Sequence, residues 1–176
     1  MDTVENYGVA ARDPARAADF AKEYGFAQSY ESYEDMVKDP DIDLVYIGTP
    51  ISHHYEHCML CLDYGKPVLC EKAFTANVAQ AKAVLDRSKQ EGVLVAEAIW
   101  TRYMPFSKTI GQLLADGVIG TPKLLSANLG YAVGHLNRLR DPALCGGALL
   151  DIGVYPLNFT AMYFGGEITT TISSSI

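Results

Sequence analysis

The chain has 176 residues, is 49% hydrophobic and 20% charged, and carries a formal net charge of −7. Such a chain can bury a core and has room for one medium domain or one and a half smaller ones. The acidic balance, with no Lys/Arg cluster to offset it, argues against a nucleic-acid partner, and no apolar run approaches the ~18 residues a membrane span needs.

The first residues, Met1-Asp-Thr-Val-Glu-Asn6, do not read as a signal peptide. Cys58, Cys61, Cys70 and Cys145 follow no secreted-domain framework. Free thiols in a reducing cytoplasm are the expectation.

Tyr7 to Ala11 reads as a buried strand. Asp13 caps a helix with Pro14 at its first position and Gly25 just past its end. Ala27 to Tyr30 is a short strand, and Ser32-Tyr-Glu-Asp35 is a capping box that opens a brief helix. Asp43 to Ile47 is the next strand. Ser52 is placed to cap a helix that runs to about Tyr64 and stops at Gly65 and Pro67. Val68 to Cys70 is a strand, Thr75 caps a helix to about Gln90, and Val93 to Glu97 is another strand.

This β-α alternation predicts an α/β fold with a doubly wound, Rossmann-like parallel sheet. In such sheets ligands bind outside the carboxyl ends of the strands, where Thr49, Pro50, His54, Glu71 and Lys72 fall. No G-x-G-x-x-G occurs, and only six residues precede the first strand. The sheet is therefore expected to lack its first β-α unit.

The texture changes after Trp100, which puts a domain boundary near residue 99. Residues 1–98 read as an incomplete dinucleotide-binding domain. Residues 99–176 read as part of a substrate or oligomerisation domain. That part predicts a helix from Pro105 to Ala115, a long strand from Lys123 to Val133 and a polar loop from Gly134 to Gly147. A helix from Ala148 to Tyr163 and a β-prone tail from Thr169 to Ile176 complete it.

Several stretches carry a common likeness: Gly8-Val-Ala-Ala-Arg-Asp13, Tyr46-Ile-Gly-Thr-Pro50 with His54, Cys70-Glu-Lys72, Glu97-Ala-Ile-Trp-Thr-Arg102, and Gly146-Gly-Ala-Leu-Leu-Asp-Ile-Gly-Val-Tyr155. In this order they resemble the Gfo/Idh/MocA oxidoreductases. The likeness is greatest to the branch of dimeric dihydrodiol dehydrogenases and glucose–fructose oxidoreductase-like enzymes. The resemblance implies an N-terminal Rossmann domain, a C-terminal α/β domain with an open sheet, and a nicotinamide cofactor. It implies hydride transfer at a hydroxyl-bearing carbon of a small-molecule sugar or cyclic diol, and it is compatible with a homodimer.

The resemblance also places Lys72 at the nicotinamide. It makes Tyr155 the proton donor or acceptor, with Asp151 nearby as a third catalytic candidate. A tyrosine can do acid-base work near neutral pH beside a cation, which Lys72 would supply. Ala73 stands where proline is usual, and the resemblance implies a cis peptide bond there. Arg12 and Arg16, after the first strand, suit the 2′-phosphate of NADP; NAD enzymes tend to carry an acid at that strand end. Asp13 is an acid, but capping accounts for it. Gly48, Thr49, Pro50, His54 and Glu71 are expected beside the cofactor, and Trp100 and Arg102 as lining of the pocket.

Each site has a plainer reading. Lys72 is also what a solvated strand end looks like, Asp151 suits a helix N-terminus, Tyr155 suits a core, and the two arginines suit a solvated helix start. Two other functions compete. One is a binding or dimerising protein without catalysis, favoured by the missing phosphate turn. The other is a zinc hydrolase, because His53-His-Tyr-Glu-His57 matches H-x-x-E-H.

Overall fold

The structure, a computed structural model, describes residues 4–165 and 171–172. It divides into two compact units, Met1–Ala98 and Ile99–Ile176.

The first unit alternates strand and helix. Its elements are β1 (Gly8–Ala10), α1 (Pro14–Tyr24), β2 (Gln28–Tyr30), α2 (Tyr33–Lys38), β3 (Val45–Ile47), α3 (Ile51–Asp63), β4 (Val68–Cys70), α4 (Val78–Glu91) and β5 (Val95–Glu97). Every strand pair is parallel, as the helical crossovers require. The ladder comes in two parts, β1-β2 and β3-β4-β5. One core nevertheless serves both. Val37, Ile42, Val45, Ile47, Leu62, Val68 and Val84 cluster with the thiols of Cys58, Cys61 and Cys70, and Tyr7 and Tyr30 pack against them. All four cysteines are free. Burial pushes the Cys61 thiol up to about 12, and Cys70 is raised by its hydrogen bond with Cys58 and by burial. The Cys61 and Cys70 thiols are core groups, protonated at neutral pH.

The helix ends follow local chemistry. The Asp13 carboxylate accepts from the Ala15 N–H at 3.0 Å, and Gly25 closes α1 at φ 72. Ser32 accepts from the Asp35 N–H at 3.0 Å. Two expected caps are displaced. α3 starts at Ile51 behind Pro50, so Ser52 lies inside the helix, its hydroxyl buried without a partner among the described residues. Asn77 caps α4 by accepting from the Gln80 N–H. Thr75 instead donates to the Asn77 carbonyl at 2.9 Å. Asn is as good a cap as Ser or Thr, and it stands next to the first residue with helical geometry.

A close approach fixes the start of the sheet. A Cβ on Gly8 would lie 2.6 Å from Cε2 of Tyr30, and the Tyr30 hydroxyl is held by Asp39 at 2.6 Å. Gly8→Ala must therefore displace an anchored ring. We expect it to destabilise the first unit by about 1–3 kcal/mol, read as a lower urea midpoint. A change under ~0.5 kcal/mol would contradict the close contact.

The second unit holds α5 (Pro105–Ala115), α6 (Asn137–Arg140) and α7 (Val154–Tyr163). Short 3₁₀ turns cover Trp100–Tyr103 and Pro142–Leu144, and a π-helical turn, Leu149–Gly153, feeds α7. The expected helix from Ala148 thus opens with a wider turn. Tyr163 ties α7 to α5 by donating to the Ser107 carbonyl at 3.0 Å. The long strand expected from Lys123 to Val133 does not form. A strand needs a neighbour for its N–H and C=O groups, and no other described segment of this unit is a strand. Leu124 and Tyr131 are exposed. Most of the β-prone tail lies outside the described residues, and Thr171 and Ile172 form no strand. In this unit only Ile99 and Asp151 are buried among the described residues. No described helix is long and apolar enough to cross a membrane.

Candidate functional site

The carboxyl ends of β3, β4 and β5 are tied into one edge. The Glu71 N–H donates to the Ile47 carbonyl at 2.9 Å, and the Ala98 N–H donates to the Cys70 carbonyl at 2.7 Å. These bonds extend the ladder past the last strand residues. Beyond them, side chains take over. The Glu97 carboxylate accepts from the Phe74 N–H at 3.0 Å. Glu71 accepts from the Tyr46 hydroxyl at 2.5 Å and from the Lys72 N–H at 3.0 Å. Burial, and then the bond to Glu71, push the Tyr46 phenol up to about 12. Lys72 is half-buried on this braced link, and the Lys72–Ala73 peptide bond is cis.

His54 closes the same edge from α3. It is 1% exposed. Its Nδ1 lies 2.9 Å from the Ala73 carbonyl and its Nε2 lies 2.7 Å from the Thr49 carbonyl. Carbonyl oxygens only accept, and a neutral imidazole has one N–H, so the ring donates to at least one of the two carbonyls and lies against the other. The ring is a buried tie between the loop after β3 and the loop after β4. Gly48 and Pro50 are exposed, and Thr49 is half-buried with its hydroxyl 3.0 Å from His57 Nδ1.

Arg12 and Arg16 are both exposed, one after β1 and the other in the first turn of α1. Asp13, between them, is engaged as the cap. Two guanidinium groups at the start of a helix are a donor set that fits a phosphate. The residues present therefore fit that part of a dinucleotide.

The second unit assembles its own group. Trp100 Nε1 donates to the Tyr155 hydroxyl oxygen at 3.0 Å, and the rings meet edge to face with centroids 6.1 Å apart. An N–H donor aimed at a phenolic oxygen stabilises negative charge that develops there as its proton leaves. Arg102 Nε donates to Asn158 Oδ1 at 2.6 Å, so this expected pocket residue is tied to α7. Asp151 sits in the π-helical turn, and Arg138 Nη1 donates to its Oδ1 at 2.9 Å. Sequence reasoning missed Glu97, Asn158 and Arg138 as members of these groups. Glu97 and Arg138 become visible only through partners 23 and 13 residues away.

The H-x-x-E-H run is otherwise engaged. His53 Nδ1 lies 2.7 Å from Glu56 Oε1. His57 bonds Thr49 and packs on Tyr33 with ring centroids 4.6 Å apart. Burial pushes the His57 ring down from its usual range. Among the described residues no three His, Cys, Asp or Glu side chains group around a common point suited to a metal ion.

Comparison with known proteins agrees with this layout. Residues 2–99 match the family described as "Oxidoreductase family, NAD-binding Rossmann fold", and residues 107–175 match "GFO/IDH/MocA C-terminal domain". The chain is 41% identical over 166 residues to the trans-1,2-dihydrobenzene-1,2-diol dehydrogenase of Bos taurus, covering 94% of this chain and 50% of that protein. With the Homo sapiens enzyme of the same name it shares 42% over 165 residues, covering 94% and 49%. It thus spans about half the length of these relatives. KijD10, a 3-ketoreductase from Actinomadura kijaniata in a complex with NADP, superposes with a TM-score of 0.76 at 29% identity, covering 90% of this chain and 49% of that one. A levoglucosan dehydrogenase in complex with NADH and levoglucosan shares the fold, with a TM-score of 0.76 at 23% identity over 91% and 45% of the two chains. With both units matched in order and the first match alone covering more than half of its residues, the chain belongs to the Gfo/Idh/MocA family of oxidoreductases.

Proposed function

We propose that this protein is an NADP-linked dehydrogenase acting on a hydroxyl-bearing carbon of a cyclic diol or sugar. The observation that carries this reading is the Trp100 N–H directed at the Tyr155 phenol at 3.0 Å. It equips that oxygen to give up and recover a proton. Bound nicotinamide supplies or accepts the hydride. Tyr155 takes the proton from the substrate hydroxyl during oxidation and returns it during reduction. Lys72 acts in the same reaction as a cation that favours the oxyanion. The dihydrodiol dehydrogenase relatives support a cyclic diol as the substrate class.

Arg12 and Arg16 support NADP over NAD, as does the NADP complex of KijD10. Three buried, free thiols suit a reducing compartment, and we assign the protein to the cytoplasm. The chain has one tryptophan, so fluorescence quenching by added NADPH reads Trp100 alone. Arg12→Ala should weaken NADPH binding roughly 10- to 100-fold, the equivalent of ~1.5–3 kcal/mol for a charge-assisted contact, and leave NADH binding nearly unchanged. An equal loss for both cofactors would refute the phosphate contact. No quenching and no thermal shift at millimolar NADP would favour the rival reading, a non-catalytic binding protein.

A further inference from the structure

We propose that Arg138 is a positioning residue. Its ion pair with Asp151 pins the 134–147 loop to the π-helical turn that feeds the helix bearing Tyr155. This inference rests on the reading of Tyr155 as the proton-transfer group.

The loop is built to hold itself together. Leu144 and Gly146 both donate backbone N–H groups to the Asp141 carbonyl, at 3.1 and 3.0 Å. The Asp141 carboxylate accepts from the Ala143 N–H at 2.9 Å. The returning strand of the loop passes against the backbone of α6. A Cβ on Gly146 would lie 2.8 Å from the Arg138 carbonyl oxygen and 2.8 Å from the Leu139 carbonyl group. Only glycine permits that approach. Cys145, just before it, adopts a left-handed φ of 57. The loop is therefore a preformed turn, and its orientation depends on what holds it to the rest of the unit.

Arg138 supplies such a hold. Its side chain is half exposed, whereas that of Asp151 is 9% exposed, and they meet at 2.9 Å. A carboxylate this buried is stabilised by a cationic donor, and a guanidinium holds it with fixed direction. Asp151 lies four residues before Tyr155. A π-helical turn is an irregular, wider insertion in a helix and is common at functional sites. A shift of that turn would carry the phenol with it. Asp151, expected as a catalytic residue, thereby acts through the loop and the helix. The pairing assigns to Arg138 and Asp151 the placing of Tyr155, not the transfer of the proton.

The test compares R138M, R138K, D151N and the R138M/D151N double variant. The kinetic arm uses trans-1,2-dihydrobenzene-1,2-diol with NADP. The structural arm is amide hydrogen exchange over residues 134–153. R138M should lower kcat/KM about tenfold to a hundredfold, the cost of misplaced groups, with the dissociation constant for NADPH unchanged. It should speed exchange in the loop. R138K, which keeps a cation, should recover most of the kcat/KM, and the double variant should be no worse than R138M. Faster exchange with wild-type kcat/KM would overturn the positioning role, because a purely structural pair behaves that way. Wild-type exchange would overturn the pin itself. If R138M fails to fold, R138K against D151N decides: retained kcat/KM in the first and loss in the second supports the pair, and equal loss overturns it. No diol turnover by the unmodified protein would overturn the dehydrogenase reading together with the positioning role. Normal turnover in R138M would overturn the positioning role alone.

Discussion

Tyr155→Phe should lower kcat about 10²- to 10⁴-fold, the usual contribution of a positioned general acid-base group. It should leave the NADPH dissociation constant within a factor of two. The substitution removes one oxygen, the atom to which Trp100 donates at 3.0 Å. It keeps the ring that packs edge to face on the indole. Little is therefore lost in packing, and the loss concentrates in the chemical step. Under steady-state conditions kcat and kcat/KM should fall together, the pattern of an interaction made in the transition state. Retained turnover would remove Tyr155 from the reaction, and a parallel loss of cofactor binding would assign it a binding role instead.

His54→Leu should cost about 1–3 kcal/mol of stability. The expected change is a lower urea midpoint at an unchanged slope. The volume change is modest, so the cost comes from polarity. His54 is 1% exposed and its two ring nitrogens face the Ala73 and Thr49 carbonyls at 2.9 and 2.7 Å. Leucine offers no donor, and a buried carbonyl that loses its donor costs ~1–3 kcal/mol. Because the two loops are those carrying Thr49 and Lys72, the same variant should loosen this sheet edge before the core. Hydrogen exchange should rise first at residues 49 and 72–75. A loss below ~0.5 kcal/mol would contradict a hydrogen-bonded tie at His54.

Much of the fold was legible because its signals are local. Asp13 with Pro14 and Gly25, and Ser32 with Asp35, set helix ends through atoms two to four residues apart, and those elements formed as expected. The alternation of short apolar runs with helices was enough to give a parallel sheet. Ser52 and Thr75 misled because a better-placed residue stood nearby. Pro50 fixes the chain where α3 begins, and Asn77 reaches the Gln80 N–H. Lys123 to Val133 has strand composition, yet a strand is a property of pairs, and its neighbour is not written in the segment itself.

For the site, the amino-acid sequence nominates candidate residues but not the groups they touch. Lys72 and Tyr155 are nominated from the order of the matching stretches, and their roles are proposals. That His54 joins two carbonyls, that Trp100 serves Tyr155, and that Arg138 holds Asp151 depend on side-chain partners 5 to 55 residues apart. Spacing alone carries no such information, because it is the packed chain that decides which distant groups meet.

We propose that Lys72 and Tyr155 take part in the same proton-transfer step of a nicotinamide-dependent reaction. A double-mutant cycle on kcat with Lys72→Met, Tyr155→Phe and the pair, using the dihydrodiol and NADP, measures it most directly. The double variant should be no slower than the slower single variant. Losses that multiply would show two independent contributions and contradict it.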